Sequence, residues 1–379
     1  MNESEFNSSI ISKVLNQKNL LVRILAALTR PSLLLSIAYF DESIAGIIGF
    51  YFIVSSILTS SLSFSYYKEY MPNAVNIGLI SVRTHILKHT SFATFLILFI
   101  SFLLDLNPWI PCSFIFEFYL HQTARVHLYR KEFWYWCIKS VLIPFLFILF
   151  YFIFINSSQS FILYFYLCSI PFFGLSLFLS KPFQMLKDFY RHNIFFGLSR
   201  KLLVQLDKLI IGFMIDPSIF WIFAIMYQIS NAGILLFDTL MVMPNKNKIV
   251  KNTFKYKKNI FNRINYIISF FSLSILITLT MLLVNENYIF YIVLCVLLVQ
   301  RIFFLNKMNL SLEIYFWKFN LTKITIIISI LIVVISITSY LVLNFVSPKE
   351  IGTLFITILF SFALYIITIY INKQLKYLK

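Results

Sequence analysis

Residues 197–248 read GLSRKLLVQLDKLIIGFMIDPSIFWIFAIMYQISNAGILLFDTLMVMPNKNK, two apolar segments joined by a tight turn. The first segment opens with Arg200 and Lys201 and carries Asp207 and Lys208 near its middle. Asp216-Pro217 then turns the chain back, and the second segment runs to Met243 before ending in Pro244 and a lysine cluster. Each charge inside an apolar hairpin costs roughly 2.5–3.5 kcal/mol on insertion scales, so it is kept for a reason. A polar pathway through a membrane supplies one.

Working outward, the rest of the chain has the same character. Of its 379 residues, 60% are hydrophobic and 12% charged, with a mean hydropathy of +0.84. Soluble domains carry about 25% charged residues, so a soluble globular protein is excluded. Apolar runs of bilayer-crossing length predict about twelve spans. They fall at 20–40, 43–66, 88–104, 109–125, 133–155, 159–180, 194–215, 218–243, 264–284, 287–306, 322–345 and 351–371. All are expected to be helices, because lipid demands an internally satisfied backbone and no long alternating pattern suggests a barrel. The fold class is therefore an all-α polytopic membrane protein.

Loop charge gives an orientation. With the N-terminus cytoplasmic, the cytoplasmic span ends and loops hold 25 of the 32 Lys and Arg residues, and the outer loops hold one, Lys349. This asymmetry predicts that both termini are cytoplasmic. The outer loops, such as Asp41-Glu42, Asp216-Pro217 and Asn285-Glu286, are too short to fold into a domain. Function is thus expected inside the bundle. Trp109, Trp134, Trp136, Trp221 and Trp317 fall near span ends, as interfacial tryptophans do.

A faint internal repeat divides the chain. Asp41-Glu42-Ser43-Ile44 precedes the second span and Asp216-Pro217-Ser218-Ile219 the eighth. The division expected is an N-terminal six-helix lobe at 1–180, a cytoplasmic link at 181–193, and a C-terminal six-helix lobe at 194–379. Two halves of six helices enter the membrane from the same side, which makes a parallel repeat about a pseudo-two-fold axis along the membrane normal.

The charged residues within spans are the candidate site. Arg23 and Arg30 are seven apart on one helical face, and Lys201 and Lys208 repeat the spacing in the second half. Arg23, Arg200 and Lys201 are shallow enough to snorkel to headgroups, whereas Arg30 and Lys208 are deep. With Lys139, these six cations face three intramembrane acids, Glu117, Asp207 and Asp238. The excess positive charge favours an anionic ligand. A competing reading makes the cations structural partners of those acids, above all Lys208 beside Asp207. Glu117 is expected at a lobe interior, within reach of Arg30 or Lys139.

Other chemistry is poorly represented. The lysine run from Lys246 to Arg263 suits a basic loop with affinity for anionic membrane lipid, and no module presents it to nucleic acid. His85 and His89 are four apart, but HILKH lacks the glutamate of a zinc-protease motif. The cysteines Cys112, Cys137, Cys168 and Cys295 have spacings that suit neither a metal site nor a disulfide framework. Neither a metal nor a cofactor is expected.

Three stretches together resemble a known family. LDKLIIGFMIDPSIFWIFAIMYQISNAG at 206–233, followed by MPNKNK, looks like the start of the second half of polysaccharide flippases. LVRILAALTRPSLLLSIAYFDESIAGIIGFYFIVSSI at 21–57 looks like the matching start of the first half, and FEFYLHQTARVHLYRKEFW at 116–134 like the fourth and fifth helices. The chain thus resembles the O-antigen, or Wzx-type, branch of the multidrug/oligosaccharidyl-lipid/polysaccharide flippase superfamily. It departs from that pattern in having Pro217-Ser218 where a Gly-Tyr pattern is common.

The resemblance implies two six-helix lobes around a cationic cavity, with alternating access. The cargo it implies is undecaprenyl-pyrophosphate-linked oligosaccharide, moved from the inner to the outer leaflet of a bacterial cytoplasmic membrane. A polysaccharide polymerase and a chain-length regulator would be working partners, and the protein would not be an enzyme. A drug or small-metabolite exporter of the same superfamily is the alternative. A polymerase fits less well, lacking its expected large arginine-bearing outer loop. A membrane acyltransferase should carry a histidine deep in a span, yet His85, His89, His127 and His192 lie near cytoplasmic ends and only His121 lies further in.

Overall fold

The computed structural model describes residues 18–62, 91–99, 101–103, 107–117, 187–242, 258–284, 288–316, 322–345 and 349–376, with a few isolated positions between them. Every extended element among the described residues is a helix. They are α1 (Lys18–Ala38), α2 (Glu42–Leu62), α3 (Lys187–Met214), α4 (Pro217–Phe237, prolonged by a π-helical turn, Asp238–Val242), α5 (Lys258–Leu283), α6 (Tyr288–Phe316), α7 (Thr322–Phe345) and α8 (Lys349–Lys376). Helical stretches at 91–99 and 109–117 lie between α2 and α3. The spans expected at 133–155 and 159–180 lie, apart from isolated positions, outside the described residues.

Among the described residues five helices are long and apolar enough to cross a bilayer, those within α4 to α8. At 1.5 Å per residue, a 25-residue helix spans about 37 Å, against a hydrocarbon core of about 30 Å. α1 and α3 have the length without the uniform apolarity, because Arg23 and Arg30 interrupt one and Arg200, Lys201, Asp207 and Lys208 the other. Two boundaries differ from expectation. α3 begins at Lys187, inside the stretch expected to link two lobes, and α6 continues past Asn306 to Phe316. Polar side chains that resemble span ends in sequence are simply later turns of long helices.

Both turns of the faint repeat end in the same device. Asp41 Oδ1 accepts a hydrogen bond from the Ile44 amide (2.9 Å), capping α2. Asp216 Oδ1 accepts from the Ser218 amide (2.9 Å) and hydroxyl (2.8 Å), capping α4. An aspartate just outside a helix satisfies amides that have no carbonyl partner within it. Pro217 occupies the first position of α4, where its missing N–H costs nothing and its fixed φ suits a helix.

α4 is the hub of the bundle. It packs on α1 and α2 on one side and on α5 and α6 on the other, while α3 packs on α2, α7 and α8. The run from Phe220 to Ser230 is buried at every position but Ile222. Trp221 belongs to that run and is 5% exposed, so it sits in the core, not in the interfacial belt that its position near a span end suggests. The packing of α2 on α4 is unusually close. A methyl group at Gly46 would fall 1.9 Å from the Pro217 carbonyl oxygen, and one at Gly49 would fall 2.5 Å from Ala224 Cβ. Only residues without a side chain allow the two backbones this approach.

Polar side chains join the outlying helices. Asn306 donates to Asn265 Oδ1 (2.8 Å), and Asn265 donates to the Phe303 carbonyl (3.1 Å), fastening α5 to α6. Ser311 donates to Asn372 Oδ1 (3.0 Å) between α6 and α8, and the Ser199 and Ser329 hydroxyls lie 3.1 Å apart between α3 and α7. Such bonds hold membrane helices together where apolar contact with lipid is no worse than with protein. The outward faces carry Phe270, Phe271, Ile330, Val333, Ile337 and Tyr340, all more than half exposed in the chain alone.

Candidate functional site

Among the described residues two charged clusters lie within the helices. The first forms where α3, α4 and α6 meet. The Asp207 carboxylate faces the Arg301 guanidinium, with Nη1 3.0 Å from Oδ2 and Nη2 3.0 Å from Oδ1. This is the two-pronged geometry that a planar guanidinium offers a carboxylate. Both side chains are sealed, at 1% exposure for Arg301 and none for Asp207. Nη2 also donates to the Val204 carbonyl, tying α6 to the backbone of α3.

Lys208 turns away from its acidic neighbour. Its ammonium donates to Gln205 Oε1 (2.7 Å) and to Asn231 Oδ1 (3.4 Å). It also lies 5.0 Å from the centre of the Tyr227 ring, and Arg301 lies 5.3 Å from the same ring. Two cations thus share one aromatic ring. With Asp207 matched by Arg301, Lys208 rests on neutral acceptors. Lys208 is only 1% exposed.

The second cluster joins α1, α2 and the 109–117 helix. Arg30 Nη2 lies 3.6 Å from Glu117 Oε1, and the guanidinium carbon lies 4.8 Å from the centre of the Phe52 ring. The Arg30 side chain is 32% exposed while that of Glu117 is 6% exposed. Arg30 shares a helical face with the buried Leu34 and Ile37, opposite the exposed stripe of Leu25, Leu28 and Ser32. Its accessible third therefore opens on the inner side of α1.

The remaining candidates are dispersed. Arg200 donates to Asn309 Oδ1 (2.8 Å) on α6, and Lys201 is half-buried beside it on α3. Asp238 begins the π-helical turn, half-buried, its amide donating to the Ile234 and Leu235 carbonyls. The side chain of Arg23 and the whole of Lys139 lie outside the described residues. Among the described residues no contact joins Arg30 to Lys208.

Arg301 is the residue that sequence reasoning misplaces. Taken with the cytoplasmic end of a span closing at 306, it looks like one more loop cation. In fact it lies midway along a 29-residue helix. The signal was available: a deep carboxylate at Asp207 requires a partner, and its neighbour Lys208 is set one residue round the helix.

No protein-family model and no curated protein sequence matches the chain. Two solved structures resemble it along nearly its whole length. One is the crystal structure of a MATE in complex with Br-NRF, at 11% identity and a TM-score of 0.50, covering 95% of this chain and 96% of that one. The other is an inward-facing multidrug resistance MATE family transporter of the MOP superfamily, at 12% identity and a TM-score of 0.48, covering 95% and 94%. The chain is thus an all-helical, multi-pass membrane protein with a MATE-like fold.

Proposed function

We propose that the chain is a transporter of the flippase superfamily that carries a lipid-linked oligosaccharide across a bacterial cytoplasmic membrane, gripping the pyrophosphate through cationic side chains. One observation carries this reading: Arg30 keeps a partly accessible guanidinium on the inner face of α1. A guanidinium away from bulk water matches phosphate oxygens with charge-assisted bonds of roughly 1.5–3 kcal/mol each. Lys208 supplies a second cation, held by neutral acceptors that an anion outcompetes once α3 and α4 part. The MATE-like fold supports transport by rearrangement of packed helices.

Export of a cationic drug suits the same fold, but the charge count argues against it. Arg301 adds a buried cation and Glu313 a buried acid to those legible in sequence, so the positive excess is unchanged, whereas cationic cargo calls for excess acid. The deciding experiment is surface polysaccharide display in a strain lacking its own transporter, with membrane levels checked by blot. Arg30→Ala and Lys208→Ala are each expected to block display, and Arg30→Lys to retain part of it, since charge survives while the planar fork is lost. Full display by the doubly substituted protein would rule out the mechanism.

A further inference from the structure

The two ion pairs seen among the described residues differ in a way that assigns them different work. Arg301 and Asp207 meet at two 3.0 Å contacts, fully sealed. Arg30 and Glu117 meet at a single 3.6 Å contact, longer than the roughly 2.7–2.9 Å of a good charged hydrogen bond, with the arginine accessible. Phe52 stacks near the guanidinium and holds it in place whatever Glu117 does. Glu117 is the reverse case, a buried carboxylate set where it stays close to Arg30 even when the contact is broken. We propose that Glu117 is an exchange residue. Its carboxylate holds Arg30 in the conformation observed, a phosphate oxygen of the cargo displaces it, and its return drives the cargo off.

This inference rests on Arg30 as the anion-binding residue. It explains how one site both grips and releases a highly charged group, because a tethered competitor of high local concentration caps the affinity. It also predicts an unusual sign. Removing a merely structural partner weakens binding, whereas removing a competitor tightens it.

The test uses the full-length protein in detergent micelles and a short-chain prenyl pyrophosphate as probe, with phosphatidylglycerol titrated in parallel. Glu117→Gln is expected to bind the probe roughly three- to tenfold more tightly, the range for losing one partly screened charge. It should also export more slowly in the display assay. Asp207→Asn should bring no gain in affinity. Unchanged or weaker probe binding by a monodisperse Glu117→Gln protein would overturn the inference.

Arg30→Ala separates the two claims. If it binds the probe as the unaltered protein does, the anion site itself is misassigned. If it loses binding while Glu117→Gln gains none, only the exchange role fails. Should Glu117→Gln not fold, Glu117→Asp draws the charge back by one methylene and is expected to tighten binding about twofold; no gain there would overturn the inference equally. Tightening for phosphatidylglycerol alone would assign Arg30 to a membrane lipid and overturn the cargo reading.

Discussion

At Asp207 a single carboxylate has been taken out of water, and one side chain from another helix matches it. Arg301→Ala should therefore be among the most damaging substitutions in the chain. Breaking a buried pair from one side typically costs about 3–5 kcal/mol, because the other charge stays behind. The expected outcome is a large fall in the melting temperature of the detergent-solubilised protein and in its yield. Asp207→Asn combined with Arg301→Gln should recover most of that loss. Lys208→Met makes a contrasting case, since it removes a buried charge at similar volume. Stability should hold or rise while polysaccharide display falls, so a fall in both would mark Lys208 as structural. The sequence made the depth of Asp207 and Lys208 legible, but not that of Arg301, nor the direction of any of the three around its helix. Depth follows from counting along an apolar run; direction depends on which neighbour packs there. That is why Lys208 could be read as paired with Asp207, when the 100° step between adjacent residues points them at different partners.

Helix by helix, the apolar runs after residue 217 coincide with the long apolar helices α4 to α8, because bilayer thickness sets their length. Where elements end was less legible, since α3 and α6 extend through charged turns that mimic loops. The turn before α4 behaves as a local switch of stability. The Ser218 amide and hydroxyl bonds hold the Asp216 carboxyl below the usual carboxylate range. Because the folded value lies below the unfolded one, this capping contributes stability above the unfolded pKa and loses it as pH falls through the folded value. Asp216→Ala should lower the melting temperature at neutral pH, and the difference should shrink in acid; a difference that stays constant with pH would contradict the capping role. The seam between α2 and α4 is steric and has no such dependence. Gly46→Ala already places a carbon against the Pro217 carbonyl, and overpacking of this kind costs about 1–3 kcal/mol. Thermal unfolding of that variant should show the loss at every pH.

For the whole molecule, the membrane-embedded fold followed from composition, and the arrangement of helices around α4 did not. Nothing in the sequence states that α4 contacts α1, α2, α5 and α6 at once. The orientation inferred from loop charge can be tested directly. Reporter fusions after Asn156 and Asn285 are expected to report the outer side, and fusions after Asn245 the cytoplasm. A reversed signal at Asn245 would overturn both the orientation and the parallel repeat.

The glycine seam has a consequence for how such a molecule could open. Contact attraction between packed atoms falls by about a quarter to a half over a gap of roughly 0.5–1 Å, unlike the long reach of a charge pair. Helices α2 and α4 therefore gain nothing by parting slightly: the first small displacement already forfeits a large share of the attraction at Gly46 and Gly49. A seam of this kind is bistable, either shut or fully released. Distances between labels placed on α2 and α4 should accordingly form two separate peaks whose weights shift with cargo, not one peak that drifts.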